Sequence, residues 1–193
     1  MNATVERNVT EWPKLEINYW GITKCANSSI KAHLNQCSGN PIIDQFKTTS
    51  VNKPKFNRYI TEEQALSNGY VNFTVTRHPI QRFVSAWKDL CINRKARGKQ
   101  AGVNPDWDLK QLAKFVADKN DHELDVHFRS QSYFINDQIE HVFQLENLNT
   151  QWNLDIPVLE FHIHSTPGSF EVTNYVSDLI KQRYRIDFIR FGY

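Results

Sequence analysis

Residues 17–31 decide the fold of the first half of the chain, and their sequence is Ile17-Asn18-Tyr19-Trp20-Gly21-Ile22-Thr23-Lys24-Cys25-Ala26-Asn27-Ser28-Ser29-Ile30-Lys31. The alternation of apolar and polar residues around Ile17 and Tyr19 predicts a strand. Ser28 and Ser29 suit the start of a helix, which continues with apolar residues at helical spacing. The stretch therefore predicts a strand, a tight polar loop and a helix.

The loop inside this stretch has the properties of an anion site. Ala26, Ser28 and Ser29 are small and leave room for an anion against main-chain N–H groups. The helix dipole and the ammonium of Lys24 add positive potential at the same place. We interpret the loop as a phosphate-binding loop, and an ordinary turn with an exposed lysine remains the alternative.

Strands and helices alternate through the rest of the chain. Further strands are predicted at residues 70–76 and 139–145, and the run 158–163 is strand-like. Helices are predicted after Thr61, Pro79 and Asp108 and over residues 172–184, whereas residues 94–106 are predicted to form a basic loop. This order is typical of an α/β fold with a parallel sheet. We expect an N-terminal arm at residues 1–13 and a single domain at residues 14–193.

Composition excludes several classes of protein. No apolar run is long enough to cross a membrane, and the N-terminus lacks the apolar core of a signal peptide. The three cysteines show no metal-ligand spacing and cannot all pair within one chain. His162 and His164 would lie on one face of a strand, but two ligands alone make a weak case for a metal site. The formal net charge of +2 does not by itself argue for nucleic acid. We therefore expect a soluble intracellular chain, in the cytoplasm and not the Golgi lumen, with reduced thiols and no metal.

A second anion site is predicted beside the first. Arg77 follows the strand at residues 70–76, and Ser85 lies two turns into the next helix. Ligands gather at the C-terminal ends of strands in open parallel sheets. Arginine suits bidentate phosphate contact, and serine suits a single directional hydrogen bond. Two separate phosphates could therefore be held, although Arg77 could instead pair with a carboxylate.

Two motifs give the chain its resemblance to a family. Residues 23–31 resemble the 5′-phosphosulfate loop of sulfotransferases that use 3′-phosphoadenosine 5′-phosphosulfate. Residues 77–87 resemble the 3′-phosphate motif of the same family, with the pattern R-x-P-x-x-R-x-x-S. Together the two motifs identify the chain as a member of the sulfotransferase family.

Weaker similarities point to the Golgi-type carbohydrate branch, in the manner of sulfotransferase family 2. Residues 125–131 resemble its D-x-H-W-x-x-Q segment, and residues 184–193 resemble its Y-x-x-D-F-x-x-F-x-Y ending. The chain departs from the family where Thr23 replaces the usual proline and Ala26 replaces a glycine. Since alanine disfavours positive φ, the loop is expected to follow a slightly different path. The chain resembles short soluble relatives of bacterial or viral type that lack a membrane anchor.

The resemblance implies a fold, a donor and a set of residue roles. The fold is a P-loop NTPase-like three-layer arrangement, in which helices flank a central parallel sheet. The implied reaction transfers a sulfuryl group from 3′-phosphoadenosine 5′-phosphosulfate to a hydroxyl or amine of a small-molecule or glycan acceptor, and we expect a carbohydrate. Lys24 would stabilise the leaving group, and His127 would be the general base. The residues implied in donor binding are Lys24, Cys25, Ala26, Asn27, Ser28, Ser29, Arg77 and Ser85.

Several alternatives remain open. Glu63, Asp44 and His78 are rival bases, and Arg82 is expected to be partly structural, pairing with an acidic neighbour. A nucleotide kinase of P-loop type is a second function, although the pattern G-x-x-x-x-G-K-[ST] is absent. A non-catalytic nucleotide-binding relative is a third. Basic residues at 53–59 and 94–99 permit nucleic-acid binding, but acidic residues nearly balance the charge, so no nucleic acid is expected.

Overall fold

The computed structural model describes residues 9–39, 57–157 and 170–193. These residues form two compact units. The first unit comprises residues 9–39, 57–76 and 134–157, and the second comprises residues 77–133 and 170–193. The predicted strand at 158–163, the basic residues at 53–56 and the rival base Asp44 lie outside the described residues.

Helices and strands alternate along most of the described chain. The strands are β1 (Val9–Trp12), β2 (Ile17–Trp20), β3 (Arg58–Ile60), β4 (Val71–Thr76) and β5 (His141–Gln144). The α-helices are α1 (Asn27–Cys37), α2 (Glu62–Ser67), α3 (Pro79–Trp87), α4 (Lys95–Gln100), α5 (Leu109–Ala117), α6 (Leu148–Gln151), α7 (Asn174–Arg183) and α8 (Arg185–Phe191). A π-helix (Lys88–Asn93) connects α3 to α4.

The sheet of the first unit is mixed, which corrects the prediction of a parallel sheet. Its strand order is β3-β1-β2-β4-β5. β2, β4 and β5 are parallel neighbours, but β1 is antiparallel to both β2 and β3. The connection from β1 to β2 is a single turn at Pro13–Leu15, with Glu16 at φ +54°. So short a connection can only join antiparallel strands, because a parallel crossover needs a dozen or more residues.

Strand β1 lies inside the segment that was predicted to be an arm. Its four residues are all buried, although Thr10 and Glu11 are polar. The Glu11 carboxylate accepts hydrogen bonds from the Arg58 guanidinium and, at 3.0 Å, from the Asn68 amide. Because the Glu11 carboxylate is paired inside the fold, the segment can contain a charged residue and nevertheless form a buried strand.

The helix starts predicted after Thr61 and Asp108 are confirmed, and each has a capping box. Thr61 accepts a hydrogen bond from the Gln64 N–H and begins α2, and Asp108 accepts one from the Gln111 N–H and begins α5. In each case the glutamine side chain returns a bond to the main-chain N–H of the capping residue. Each box fixes the first residue of its helix where the sequence predicts it.

Helix α4 occupies residues 95–100 of the loop that was predicted at residues 94–106, and the prediction was wrong for this part. Its buried position is Gly98, and a Cβ atom added there would lie 2.2 Å from the carbonyl oxygen of Leu90. Leu90 belongs to the π-helix, in which the Arg94 N–H donates to the Asp89 carbonyl at 2.7 Å. The prediction was wrong because a helix that packs through a glycine shows no apolar periodicity.

Each unit has its own hydrophobic core. In the first unit, the core contains Tyr19, Phe73 and Phe143 from three adjacent strands, together with Ile30 and Leu34 of α1. The core of the second unit joins α3, α5 and α7, with the buried members Phe83, Trp87, Leu112, Phe128, Val176 and Ile180. The buried side of α3 contains Phe83 and Trp87, and it continues through Leu90 and Cys91 of the π-helix.

Candidate functional site

The loop between β2 and α1 has two residues in the left-handed region. Lys24 has φ +67°, and Ala26 has φ +56°. Ala26 is also the N-cap of α1, and no side chain caps this helix. Ala26 thus adopts the conformation that glycine favours, at a cost of about 1 kcal/mol for a residue with a Cβ.

The N-terminus of α1 presents main-chain donors. The Ile30 N–H donates to the Ala26 carbonyl at 3.0 Å. The N–H groups of residues 27–29 precede this bond and have no partner within the helix. The Cys25 N–H donates to the Ile22 carbonyl at 3.3 Å, and the Cys25 side chain is fully buried. Among the loop residues implied in donor binding, residues 27–29 therefore have main-chain N–H groups that can bind an anion.

Close packing surrounds Gly21 at the start of the loop. A Cβ atom added to Gly21 would lie 2.7 Å from Oδ1 of Asn27 and 3.5 Å from Cε1 of Tyr19. Within the described ranges, Asn27 Oδ1 and Tyr19 Oη are buried without a hydrogen-bond partner. Burial, and then the nearby Cys25, raise the pKa of Tyr19 well above its ordinary value. The phenol therefore stays neutral, and any side chain at residue 21 would force the Asn27 side chain to shift.

The side chains of the loop differ in exposure. Ser28 is exposed, whereas Lys24 and Ser29 are half-buried. Lys24 precedes α1 by three residues, and a lysine close to the main-chain N–H donors of a helix N-terminus can neutralise an anionic group there. The residues present thus fit a phosphate or phosphosulfate group.

Arg77 lies one residue beyond β4, and its main chain is held by a side chain. The Arg77 N–H donates to Oε1 of Gln131 at 2.8 Å, and Nε2 of Gln131 donates to the Arg77 carbonyl at 2.8 Å. Pro79 then begins α3, and Ser85 lies on this helix. Ser85 is half-buried. Arg77 and Ser85 belong to the second unit, and both fit a phosphate.

Arg82 is structural, as the sequence analysis expected in part. Only 3% of Arg82 is exposed. Its Nη1 donates to the Arg129 carbonyl at 2.7 Å, and its Nη2 donates to the Val126 carbonyl at 3.4 Å. Arg82 thus supports the segment on either side of His127 by holding main-chain carbonyls.

His127 forms a dyad with Asp125. Its Nδ1 lies 2.5 Å from Oδ1 of Asp125, which also accepts the His127 N–H at 3.0 Å. Arg97 lies 3.6 Å from the second carboxylate oxygen. Burial raises the pKa of Asp125, but the hydrogen bonds from His127 and the charge of Arg97 outweigh it, and the pKa is lowered. A carboxylate on Nδ1 orients the ring and leaves Nε2 as the nitrogen that can take a proton.

The rival bases have other surroundings. Glu63 is exposed in the first turn of α2. The His78 ring packs edge-on against Phe188 at 5.5 Å and Tyr193 at 5.4 Å between ring centroids.

Two residues of the C-terminal motif hold the segment that carries His127. The Tyr184 hydroxyl donates to the Phe128 carbonyl at 2.7 Å. Oδ2 of Asp187 accepts the Gln131 N–H at 2.7 Å, and its Oδ1 accepts the Ser132 N–H at 2.9 Å. Sequence analysis included Gln131 and Asp187 in its weaker motifs but gave them no role. Their presence at matching motif positions was the available signal.

The basic residues of α4 and its N-cap are largely compensated. Nε of Arg94 lies 2.6 Å from Asp89, Nζ of Lys95 lies 3.0 Å from Asp106, and Arg97 approaches Asp125 as described above. A surface meant for a phosphate backbone needs uncompensated cations. This arrangement gives no support to the nucleic-acid alternative.

Two features of the described residues bear on metal and membrane. Residues 9–39, 57–157 and 170–193 contain no group of three or more His, Cys, Asp or Glu that could hold a metal ion. None of the helices in these ranges combines the length and the apolar composition that a membrane span needs.

Comparison with known families agrees with the two motifs. Residues 9–193 match the family model described as "Sulfotransferase family", and the match begins at the first residue of β1. No curated protein and no solved structure matched the chain. Since the family model covers nearly the whole sequence, including residues 23–31, 77–87, 125–131 and 184–193, the chain belongs to the sulfotransferase family.

Proposed function

We propose that the protein transfers a sulfuryl group from 3′-phosphoadenosine 5′-phosphosulfate to a hydroxyl or amine of a carbohydrate acceptor. The observation that carries the proposal is the conformation of the loop at residues 21–26. Its left-handed residues Lys24 and Ala26 precede the unpaired first turn of α1. Family membership supports sulfuryl transfer in general. We also propose a P-loop-like architecture. The mixed sheet is compatible with it, because β2, β4 and β5 are parallel.

The first loop is proposed to bind the 5′-phosphosulfate. The N–H groups of residues 27–29 and the hydroxyls of Ser28 and Ser29 supply hydrogen-bond donors to its oxygens. Lys24 neutralises the charge that builds on the bridging oxygen as the sulfur–oxygen bond breaks. A compact ammonium suits this task better than a planar guanidinium, because the charge develops on one atom.

Arg77 and Ser85 are proposed to bind the 3′-phosphate. Arginine can offer two parallel N–H donors to a phosphate, and serine adds one directional donor. The Gln131 amide holds the Arg77 main chain through two hydrogen bonds. A fixed main chain reduces the conformational freedom that binding would otherwise remove.

His127 is proposed as the general base. The attacking hydroxyl must lose its proton as the new oxygen–sulfur bond forms, and an imidazole oriented by Asp125 can accept that proton on Nε2. The bisphosphate leaves with the electrons of the bond to sulfur. The carbohydrate acceptor rests on the resemblance of residues 125–131 and 184–193 to the Golgi-type branch.

The proposal is tested by calorimetric titration with 3′,5′-bisphosphoadenosine, followed by an acceptor screen with labelled donor. We expect wild type to bind the bisphosphate and Arg77→Ala to bind it more weakly. Equal affinity of the two proteins would overturn the assignment of Arg77. Binding without transfer to any carbohydrate, alcohol or amine would favour a non-catalytic relative. Phosphoryl transfer from ATP, with no transfer from the phosphosulfate donor, would favour the kinase alternative.

A further inference from the structure

The Arg77 main chain is held by a side chain that is itself held by a buried carboxylate. Arg77 is bonded by the amide of Gln131, and the main chain of Gln131 is bonded by Asp187. We propose that Gln131 and Asp187 are positioning residues that orient Arg77 for the 3′-phosphate of the donor, an inference that rests on the proposed function.

The contact between Gln131 and Arg77 has the pattern of two paired strands. One residue presents a donor and an acceptor, the other presents their complements, and both distances are 2.8 Å. The partners also fix the orientation of the amide, because only Nε2 can donate to a carbonyl and only Oε1 can accept an N–H. The side chain of Gln131 thus bonds the main chain of Arg77, the residue that follows β4, in the way that a paired strand would.

Burial explains why this contact is specific. Gln131 and Asp187 are both 0% exposed. A buried amide or carboxylate is costly unless its polar atoms are bonded, and apolar side chains of the same size would fill the space without that cost. The polar head of Gln131 bonds both main-chain groups of one residue, and that residue is the arginine of the motif.

Asp187 completes the arrangement from the other side. Its two oxygens accept the N–H groups of Gln131 and Ser132, and its Oδ1 also accepts the Ser132 hydroxyl at 2.7 Å. Charge-assisted bonds to main-chain N–H groups are stronger than bonds between neutral groups. Asp187 therefore fixes the main chain of Gln131, and the side chain of Gln131 in turn bonds Arg77.

The consequence for binding follows from the geometry that arginine needs. A bidentate contact with phosphate depends on the direction in which the side chain leaves the main chain. If the peptide groups on both sides of Arg77 are free to rotate, fewer conformers offer the correct direction, and affinity falls by that fraction. The loss concerns the 3′-phosphate alone, because Gln131 and Asp187 do not belong to the loop proposed for the 5′ group.

The test measures how strongly the protein prefers a nucleotide that carries a 3′-phosphate. The dissociation constants of 3′,5′-bisphosphoadenosine and of adenosine 5′-phosphate are determined by calorimetry, and their ratio is compared among variants. Gln131→Met removes both amide bonds, while Gln131→Glu keeps the shape but cannot donate to the Arg77 carbonyl when ionised. Asp187→Asn keeps the size of the carboxylate and removes its charge.

We expect Gln131→Met to lower the preference about tenfold, which corresponds to the net worth of one to two hydrogen bonds. Affinity for adenosine 5′-phosphate should change by less than about twofold, because a side chain that acts only on Arg77 leaves the 5′ group untouched. Gln131→Glu and Asp187→Asn should lower the preference in the same direction. Arg77→Ala defines the value that remains when the arginine is absent.

Ser130→Ala is the matched control. Ser130 is buried in the same segment and bonds Asp121 and Arg183, but it has no bond to Arg77. Its substitution should lower thermal stability and leave the 3′-phosphate preference unchanged. In the double variant Arg77→Ala/Gln131→Met, the preference should equal that of Arg77→Ala alone, since Gln131 acts through Arg77.

The outcomes separate this inference from the proposed function. If wild type shows no preference for the 3′-phosphorylated nucleotide, the proposed donor is wrong and the inference falls with it. If wild type shows the preference and folded Gln131→Met, Gln131→Glu and Asp187→Asn all retain it, the positioning role is wrong and the proposed donor stands. Gln131→Glu keeps the experiment decisive if Gln131→Met does not fold.

Discussion

Nδ1 of His127 lies 2.5 Å from Oδ1 of Asp125, and the same oxygen accepts the main-chain N–H of His127. The carboxylate therefore fixes both the ring and the main chain of one residue.

We expect His127→Ala to lower turnover roughly 10²–10⁴-fold, the usual contribution of a general base. Affinity for 3′,5′-bisphosphoadenosine should remain unchanged, and the dependence of turnover on imidazole deprotonation should disappear. The measurement is a pH series of single-turnover rates, with the exposed His122→Ala as control; full activity of His127→Ala at every pH would exclude the role.

The lowered pKa of Asp125 makes a prediction about stability. Its pKa in the native protein lies below the unfolded value of about 3.9, so the native state favours the ionised form. The stabilisation is present above the unfolded pKa and is lost as the pH falls through the native pKa. In urea unfolding between pH 7 and pH 3, the stability difference between wild type and Asp125→Asn should therefore shrink below about pH 4. The exposed Asp118→Asn is the control, and a difference that is constant with pH would contradict the assignment.

Lys24→Ala tests the stabilisation of the leaving group. The loss of a positioned charge at the developing oxyanion should cut turnover roughly 10²–10³-fold. Donor affinity should fall less, because the N–H groups at the start of α1 remain in place. Single-turnover rates and bisphosphate titrations separate the two effects. The control is Lys119→Ala, which removes a surface lysine that pairs with Glu123 and should leave turnover and affinity near those of wild type. Equal turnover of Lys24→Ala and wild type would disprove the role of Lys24 in stabilising the leaving group.

Gly98→Ala tests the packing of α4 on the π-helix. The added Cβ would lie 2.2 Å from the Leu90 carbonyl oxygen, so the main chain must shift. We expect the free energy of unfolding to fall by about 1–3 kcal/mol or more. In Gly102→Ala, nothing lies within 4 Å of the added atom, but φ is +73°, so the cost should be about 1 kcal/mol. A smaller loss at Gly98 than at Gly102 in urea unfolding would contradict the close packing.

Ala26→Gly tests the left-handed N-cap of α1. Glycine adopts φ near +56° without the steric cost that alanine has, although it gains freedom in the unfolded chain. We expect the free energy of unfolding to stay constant or rise by up to about 1 kcal/mol. Ala96→Gly, at an exposed position of α4, should lower it by about 0.5–1 kcal/mol. Equal destabilisation by both changes would show that residue 26 does not need a positive φ.

Sequence predicts the parts of this fold in which local chemistry and tertiary packing agree. Strands β2 and β4 have β-branched and aromatic residues, and α2 and α5 begin at side chains that can cap them. β1 was missed because its charged residue, Glu11, finds partners far along the chain, Arg58 and Asn68. No pattern of neighbouring residues records such pairing.

The candidate site divides in the same way. Lys24, Arg77 and Ser85 could be proposed from residue type and spacing, since phosphate recognition has strong preferences. The link from Asp187 through Gln131 to Arg77 could not, because its members are separated by more than fifty positions in the sequence. The left-handed conformation of Ala26 was also missed, because residue type argued against it.

The burial of Arg82 has a consequence for mutational scanning of this chain. Arg82 stands between Arg77 and Ser85 in one motif, but it bonds the carbonyls of Val126 and Arg129. An activity screen would therefore score Arg82→Ala and Arg77→Ala alike, although only the second removes a proposed donor contact. Epistasis would separate them, because the effect of Arg82→Ala should depend on substitutions in residues 126–129. A single contiguous motif thus encodes two separable phenotypes.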